Sequence, residues 1–530
     1  MQRSIVRGAA VAVVLALAGC GSAPQGGGVV AAASPEAAEA GALILQAGGN
    51  AVDAAVAVSF ALGVTEPAMS GLGGQTQLLL HAPGGRPVVI NGTSYAPGAT
   101  PVDADSAAIE TYRATTVPTT VRVLEYAWRH YGSGRIPWAQ LLEPAIRYAE
   151  DGFVVGPFRH RVWVNAEEAL RATPAARSLF LTEAGTAPAE GSVFRQPELA
   201  QTLRRLAEQG ADDFYHGEIA RAVARDMASN GGWLSLEDLE RLPQPVELDP
   251  LRGSYRGWDV YSLPPPGGGW VVLQILNLLE HAPPEALAPG SPARMSLLAQ
   301  ALRLGHLSRR DTPVHDLVNY EADVDAKIDK AHARELLEIG PGETTHFSVA
   351  DGDGMAVAVT ASINYAFGAK AADSTLGFLY NDYMREFVLG DPQHPFALRP
   401  NAMPYSSMSP TIVARDGEPV LALGSPGSAR IISAVAQVAQ LWVDEGLDVG
   451  SAVAAYRLHV IPDSALFVEW RGAPDSALEQ LVQRGFVLVE PSSTWDSAGR
   501  NAYFGGVHAV ARRGGEWRGA ADPRRDGAVR

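Results

Sequence analysis

The chain has 530 residues, of which 47% are hydrophobic and 19% are charged, and this composition is that of a globular protein with a large core. Its formal net charge of -16 argues against nucleic acids and other polyanions as partners. A single cysteine, Cys20, excludes disulfides within the chain and zinc sites built from cysteines.

The first residues are typical of an exported bacterial protein. Arginines come first, then an apolar run, then small residues before Cys20, so residues 1–19 are predicted to be a signal peptide. Leu17-Ala18-Gly19-Cys20 is similar to the bacterial lipoprotein cleavage box, which predicts lipidation of Cys20; an unmodified cysteine near an ordinary cleavage site is the alternative. Residues 20–28 predict a flexible tether. We therefore expect a cell-envelope protein, periplasm-facing or extracellular, attached to a membrane only through a lipid anchor.

Helices and one hairpin are predicted for the first half of the chain. Residues 32–64 indicate two helices that break near Gly48-Gly49-Asn50. Residues 77–90 alternate and predict a β-hairpin, while residues 141–152 and 197–230 follow helical spacing.

The middle of the chain combines a buried helix with a polar stretch. A strand at residues 258–262 ends in the run L-P-P-P-G-G-G, and an apolar helix follows at residues 270–281. Residues 309–342 are polar and charged, which predicts an exposed, flexible segment. A chain cut does least damage in such a segment.

Residues 343–364, E-T-T-H-F-S-V-A-D-G-D-G-M-A-V-A-V-T-A-S-I-N, predict a β-hairpin that starts with a hydroxyl side chain. A three-residue loop with Gly354 in the left-handed region pairs Asp351 with Met355 and Thr344 with Ser362. A two-residue loop would instead pair Thr344 with the residue before Ser362 and turn Ser362 to the other face. The first register is preferred.

Thr344 becomes a nucleophile if the chain is cut before it. It then carries a hydroxyl and a free α-amine, whose unperturbed pKa of about 7.7 to 8.0 lets the amine take the hydroxyl proton at neutral pH. The alternative interpretation of the Thr-Thr pair is an ordinary β-branched strand start.

A glycine-rich turn follows later in the chain. Residues 419–423 predict a strand, residues 424–428 (G-S-P-G-S) a tight loop, and residues 429–443 an amphipathic helix. The unpaired amides at such a helix start suit an anion or a developing oxyanion. A turn without function is the alternative, and the sequence does not match a nucleotide phosphate loop.

In their order along the chain these segments resemble the γ-glutamyltranspeptidase family of N-terminal nucleophile hydrolases. The resemblance runs from about Val29 to Arg524. Its segments include G-G-N-A-V-D-A-A-V-A (48–57), Y-R-G-W-D-V-Y-S-L-P-P-P (255–266), T-T-H-F-S-V (344–349), P-Y-S-S-M-S-P-T-I-V (404–413) and G-S-P-G-S-A-R-I-I (424–432).

The resemblance implies an α/β fold, a four-layer αββα sandwich made as one precursor that cleaves itself between Glu343 and Thr344. A large subunit, residues 29–343, and a small subunit, residues 344–530, would then pair as a heterodimer. No cofactor and no metal are expected.

Catalytic roles are implied in the same way. Thr344 would be the nucleophile that forms an acyl-enzyme, with its own amine as general base. Ser362 stands where the family usually has a second threonine that bonds to the nucleophile. The amides of Gly427 and Ser428 would form the oxyanion hole.

The family pattern for the glutamyl α-carboxylate is only partly kept. Thr93 stands where the family has an arginine, and losing a charge-assisted bond of roughly 1.5 to 3 kcal/mol weakens binding unless another cation replaces it. Ser406 and Ser407, which resemble the other carboxylate contacts, are present.

The residues expected to bind the α-ammonium also match the family pattern only in part. Asn364 is retained, Glu386 replaces an aspartate, and Tyr383 occupies a site normally given to Gln or Glu. The stretch that corresponds to the lid, residues 387–405, is abbreviated relative to lidded members, which predicts a more open pocket.

We therefore expect a self-processing N-terminal threonine amidohydrolase or acyltransferase that cleaves γ-glutamyl amides such as glutathione, with hydrolysis and transfer both open. A non-glutamyl acylase acting on cephalosporin-type or poly-glutamyl substrates is one alternative. A catalytically silent, ligand-binding lipoprotein is another.

Overall fold

The computed structural model describes residues 27–288, 291–317, 319–329, 345–462, 465–469, 475–491, 496 and 498–530. The predictions on Cys20, Glu343 and Thr344 lie outside these residues. Among the described helices none is both long and apolar enough to cross a membrane.

The strands, numbered in chain order, are β1 Val29–Ala32, β2 Gln75–His81, β3 Val88–Asn91, β4 Phe153–Val154, β5 Val193–Phe194, β6 Val246–Leu248, β7 Leu251–Tyr255, β8 Trp258–Ser262, β9 Thr345–Ala350, β10 Ala356–Ser362, β11 Thr411–Arg415, β12 Glu418–Gly424, β13 Leu458–Ile461, β14 Ala465–Val468, β15 Leu488–Val489, β16 His508–Arg513, β17 Glu516–Ala521 and β18 Ala528–Val529. The α-helices are α1 Pro35–Gln46, α2 Ala51–Thr65, α3 Thr120–Tyr131, α4 Trp138–Asp151, α5 Pro157–Arg171, α6 Pro174–Phe180, α7 Pro197–Gln209, α8 Asp212–His216, α9 Glu218–Ser229, α10 Leu236–Glu240, α11 Gly269–Glu280, α12 Pro284–Leu287, α13 Pro292–Asp311, α14 Glu321–Ile328, α15 Arg430–Asp444, α16 Val449–Ala454 and α17 Asp475–Gln483.

Two large sheets stack face to face between helical layers. The first has the strand order β18-β1-β9-β10-β2-β3-β6, and the second has the order β17-β16-β12-β11-β8-β7. Helices α1, α2 and α4 share a core with the first sheet, while α11, α13 and α15 share a core with the second. A third core lies between the sheets. The predicted four-layer αββα sandwich is therefore confirmed.

Strand β10 shows why the sheets are buried on both faces. Val357 and Val359 belong to the core under the helices, whereas Ala356 and Ala358 belong to the core between the sheets. Successive side chains of a strand point to opposite faces, so small residues let the sheets approach while larger ones fill the helical side. By the same alternation Thr360 and Ser362 face the second sheet.

The hairpin register agrees with the preferred prediction. Thr345 pairs with Ala361, the amide of Asp351 donates to the carbonyl of Met355 at 3.1 Å, and Gly354 has a φ of 95°. The two-residue loop is therefore wrong. The pairing of Thr344 with Ser362 continues this register but stays a prediction.

The predicted break between α1 and α2 is also confirmed. Asn50 caps α2, since its side chain accepts from the amides of Val52 and Asp53. The carboxylate of Asp53 accepts from the amide of Asn50 in return, at 3.0 Å. This reciprocal pair of bonds is a capping box.

The predicted exposure of the stretch from residue 309 onward holds for only part of its described residues, because exposed side chains alternate there with buried ones. Arg309 is only 2% exposed near the end of α13, and Val324 of α14 is fully buried. A few apolar side chains at helical spacing are enough to dock a short helix, although the polar residues around them dominate the local composition.

Candidate active site

Ser362 ends β10 in a buried position. Its side chain is almost fully shielded from solvent, and its hydroxyl oxygen accepts from the amide of Asn364 at 2.7 Å. The Ser362 hydroxyl also has a second hydrogen-bonding neighbour, the Tyr383 hydroxyl.

A polar ladder continues along the same face of the hairpin. His346 Nδ1 bonds with the Thr360 hydroxyl at 3.0 Å, and its Nε2 bonds with the Ser348 hydroxyl at 2.9 Å. Burial holds the pKa of His346 well below its usual range, so the ring is neutral. With both nitrogens engaged, His346 is not placed to act as a base. Over the described part of the chain, no three His, Cys, Asp or Glu side chains come together as a metal site.

The glycine-rich turn meets this ladder directly. A Cβ atom on Gly424 would lie 2.3 Å from His346 Nδ1, so the close approach requires glycine. Strand β12 therefore ends beside the face of β9 and β10 that carries His346 and Ser362, and the turn begins there.

The turn itself leaves two backbone donors without a hydrogen-bond acceptor. Gly427 and Ser428 have φ values of 121° and 64°. Their carbonyl oxygens accept from the amides of Arg430 and Ile431 at 3.1 and 3.0 Å. Among the described residues neither the Gly427 nor the Ser428 amide donates a hydrogen bond. Two free amides at the start of α15 have the chemistry of an oxyanion site.

Ser406 and Ser407 lie in a buried loop before β11. The amide of Met408 donates to the Ser406 hydroxyl at 3.2 Å, and the Ser407 carbonyl accepts from the Ser409 hydroxyl at 3.2 Å. The loop is fixed to the start of α11, because the Gly268 amide donates to the Met408 carbonyl at 2.9 Å.

Thr93 belongs to a closed hydrogen-bond network. Its hydroxyl donates to Asn91 Oδ1 at 2.8 Å and accepts from Gln77 Nε2 at 2.7 Å, and the side chain is 2% exposed. The donor of Thr93 is therefore already used within the protein.

Arg309 is a candidate site residue that the sequence reasoning did not identify. Its Nη2 donates to the Ser406 carbonyl at 2.8 Å, and its guanidinium lies 4.1 Å from the centre of the Tyr405 ring. Its Nη1 is buried and has no hydrogen-bond partner, and no described carboxylate pairs with this arginine. The charge of Arg309 acts on nearby Glu386 without a direct ion pair, and the unused N–H of the buried guanidinium favours the binding of an anion beside it.

Asn364 and Glu386 lie together close to the end of β10. Asn364 has a φ of 75°, and its Nδ2 donates to the Asp382 carbonyl at 3.3 Å. Desolvation raises the pKa of the half-buried Glu386, while the Asn364 amide and the charge of Arg309 lower it. The Asn364 amide, the Glu386 carboxylate and the Arg309 guanidinium therefore interact within one small region.

The Tyr383 hydroxyl lies beside the side chains of Ser362 and Gln75. Its ring is 2% exposed, and burial raises the pKa of its hydroxyl, while the side chains of Ser362 and Gln75 beside it lower that pKa. A neutral phenol next to Ser362 can orient that hydroxyl but carries no charge.

Comparisons with known proteins agree with this arrangement. The family profile described as Gamma-glutamyltranspeptidase matches residues 37–530. The glutathione hydrolase proenzyme of Escherichia coli K12 is 34% identical, with 94% of this chain and 90% of the relative covered. The acylase ACY 1 proenzyme of Pseudomonas sp. strain V22 is 33% identical, with coverage of 94% and 92%.

Among solved structures, the cephalosporin acylase from Bacillus halodurans superposes with a TM-score of 0.86 at 27% identity, covering 98% of this chain and 99% of that one. The fold is thus shared over the whole length of that enzyme. The chain belongs to the gamma-glutamyltranspeptidase family of enzymes, which have the N-terminal nucleophile hydrolase fold.

Proposed function

We propose that this chain cleaves itself between Glu343 and Thr344 and that the freed Thr344 then cleaves γ-glutamyl amides such as glutathione. The observation that carries the proposal is the pair of free amides at Gly427 and Ser428, which follow a strand end packed against His346 on the nucleophile face of the hairpin. The names of the curated relatives, glutathione hydrolase proenzymes among them, support it.

Self-cleavage uses the same hydroxyl as turnover. The Thr344 oxygen attacks the carbonyl carbon of Glu343, the C–N bond breaks as the acyl group moves from nitrogen to oxygen, and water hydrolyses the ester. The products are a large subunit, residues 29–343, and a small subunit, residues 344–530, which stay paired as a heterodimer.

In turnover the α-amine of Thr344 takes the hydroxyl proton, and the oxygen attacks the γ-carbonyl carbon of the substrate. The tetrahedral oxyanion accepts from the amides of Gly427 and Ser428, each donor being worth about 2.7 to 4 kcal/mol of transition-state stabilisation. The C–N bond breaks, the leaving amine takes the proton, and water or an acceptor amine releases the acyl group. Ser362 holds the nucleophile through its hydroxyl.

The α-carboxylate and the α-ammonium of the acyl group bind to different residues. The α-carboxylate binds at Ser406 and Ser407, where Arg309 supplies the cation that position 93 lacks. The α-ammonium binds at Asn364 and Glu386. The buried Arg309 thus replaces the positive charge that is missing because Thr93 stands at the position of the family arginine.

The amino-terminal segment sets the location. We propose export by the signal peptide of residues 1–19 and lipidation at Cys20, with residues 20–28 as the tether that holds the enzyme at the membrane surface. A Cys20→Ser variant is expected to leave the membrane fraction; equal retention of this variant would contradict the anchor.

The test begins with the intact mass of the purified protein without its signal segment. Two chains, one starting at Thr344, are expected, whereas Thr344→Ala is expected to remain a single chain without turnover. Thr344→Ser is the matched control, since it keeps a hydroxyl and is expected to retain cleavage. Turnover that survives in Thr344→Ala would sink the proposal.

Comparison of γ-glutamyl-p-nitroanilide with glutaryl-p-nitroanilide then tests the acyl group. We expect a preference for the γ-glutamyl substrate, because only this substrate carries the ammonium that Asn364 and Glu386 would bind. A strong preference for the glutaryl substrate would favour the acylase alternative. An uncut chain inactive on both would favour the binding protein.

A further inference from the structure

The open end of the β9–β10 hairpin is held by a neighbouring strand on one side only. Strand β1 pairs with residues 348–350 of β9, whereas the ladder with β10 already begins where Thr345 pairs with Ala361. Within the described sheet, Thr345 and His346 therefore have a strand partner in β10 but none in β1. A strand end that is held on one side frays more readily than one held on both sides. A contact from outside the sheet is needed to fix the start of β9.

The turn after α2 supplies contacts to both strands of the hairpin. The side chain of Glu66 accepts a hydrogen bond from the Thr345 hydroxyl at 3.1 Å. The carbonyl of Met69 accepts from the amide of Ile363, which follows the end of β10, at 3.0 Å. One turn of the chain is therefore bonded to both strands at the end of the hairpin that adjoins the proposed cleavage site.

The Glu66 carboxyl group is buried and has one hydrogen-bond partner. The residue is 2% exposed, and Thr345 is fully buried. Oε2 accepts from Thr345, whereas Oε1 is buried and has no partner among the described residues. The backbone of Glu66 is bonded separately, since its amide donates to the Leu62 carbonyl at 2.8 Å and its carbonyl accepts from the Met69 amide at 2.9 Å. These backbone bonds hold the turn without the side chain, so the hydrogen bond of the carboxyl group acts on β9.

Burial, more than the charged neighbours, determines the charge state of Glu66. Burial raises its pKa to about 7, against the charges of Arg525 and Arg159, which lower the pKa, and together with Asp526, which raises it. Arg159 is itself paired with Glu36 at 3.1 Å. Because the pKa lies above the usual value of 4.5 in the folded chain, ionisation of Glu66 costs stability as the pH rises from about 4.5 through 7. A carboxyl group that lowers stability at neutral pH is more typical of a functional position than of a structural one.

We propose that Glu66 is a positioning residue, which holds the Thr345 hydroxyl and thereby fixes where the chain places Thr344. The proposal rests on the proposed function, because only a chain whose nucleophile is Thr344 uses this placement. In the precursor the bond steadies the peptide link that is cut, and in the mature enzyme it steadies the new chain end. Successive side chains of a strand point to opposite faces, so Glu66 acts through Thr345 without touching the reacting atoms.

Thr345→Val and Glu66→Met test this bond, since each removes one partner and keeps much of the side-chain volume. A misplaced nucleophile lowers the rate of reaction more than the affinity for substrate. Each variant is therefore expected to lower kcat per processed chain about ten-fold, with KM changed by less than about two-fold. Intact mass counts the processed chains. Wild-type kcat in a folded Thr345→Val variant overturns the proposal.

The variant with both changes separates positioning from stability. Removing one partner leaves a buried polar group without its bond, whereas replacing both partners by apolar groups avoids this cost. The melting temperature of the double variant is therefore expected to recover relative to Thr345→Val, while kcat stays about ten-fold below that of the wild type. Recovery of kcat together with stability overturns the positioning role, because the bond would then act only on the fold.

Two matched variants complete the design. Glu66→Gln keeps an acceptor oxygen without the charge and is expected to retain kcat within about three-fold. A loss as large as that of Glu66→Met overturns the assignment to the hydrogen bond. Thr202→Val removes a different buried hydroxyl, which donates to the Leu376 carbonyl at 2.8 Å, and is expected to lower the melting temperature without changing kcat. An equal loss of kcat in Thr202→Val overturns the special role of Thr345.

Stability in an inactive background keeps this test separate from the proposed function. Thr345→Val, Glu66→Met and the double change are each placed in the Thr344→Ala chain, where no turnover is needed. We expect that the losses in melting temperature of the single changes do not add in the double variant, as for side chains that bond to each other. Additive losses overturn the bond itself, whatever substrate the enzyme cleaves. A wild type that is never cut contradicts the proposed function instead, and the coupling is then read by itself.

Discussion

Two sides of the candidate site are built in different ways. The proposed catalytic side consists of the end of β10 and the turn of residues 424–428, and in the proposal it acts through backbone amides and the Ser362 hydroxyl. The proposed acyl side comprises Arg309, Asn364, Glu386 and residues 406–407, and in the proposal it acts through side chains that come from four separate segments. The positions of the backbone groups are determined by the strand register and by where the helix starts. The charge of the acyl side instead depends on how segments that are distant in the sequence pack together.

The largest effect is expected from Gly427→Ala on the catalytic side. A Cβ atom there would lie 3.0 Å from the Gly505 Cα, and the φ of 121° is strained for alanine, so the turn must shift. A displaced oxyanion donor lowers kcat by about 100-fold or more. Steady-state kinetics of the processed enzyme measure this loss.

Gly417→Ala is the matched control for backbone strain. Its φ is 79°, but a Cβ atom there meets no other atom within 4 Å. We expect it to lower stability slightly and to leave kcat unchanged. Full activity of a folded Gly427→Ala variant would show that this turn does not form the oxyanion hole.

Arg309→Gln tests the acyl side with a smaller expected effect. The variant removes the buried cation beside Ser406, so kcat/KM for γ-glutamyl-p-nitroanilide is expected to fall about ten- to hundred-fold. The 4-aminobutanoyl anilide lacks the α-carboxylate and is expected to lose much less. The comparison of the two substrates is the measurement.

Arg310→Gln is the neighbouring control, because Arg310 is exposed and pairs with Asp311 at 2.8 Å. It is expected to leave both substrates unaffected. Equal losses on both substrates in Arg309→Gln would mean that Arg309 only holds the Ser406 loop in place.

The sequence predicted the backbone of the proposed catalytic side better than the charges of the proposed acyl side, for a physical reason. The turn signal and loop length determined the register of β9 and β10, and the G-S-P-G-S run indicated the turn before α15, because both depend on local backbone chemistry. Arg309 escaped notice because it stands in a polar run, and its burial depends on contacts with Tyr405 and Ser406, about a hundred residues away. Local patterns do not report such docking.

The smallest effect is expected from Ser428→Gly, which separates backbone from side chain on the catalytic side. Ser428 adopts a φ of 64°, a region that glycine enters without strain. If only its amide serves the oxyanion, removing the side chain leaves the donor in place, so kcat/KM is expected to stay within about two-fold of the wild type. Stability is expected to change by less than about 1 kcal/mol, because relief of the left-handed strain offsets the greater chain entropy of glycine. A loss approaching that of Gly427→Ala would show that the Ser428 hydroxyl takes part in catalysis, and the catalytic side would then depend on side chains as the acyl side does.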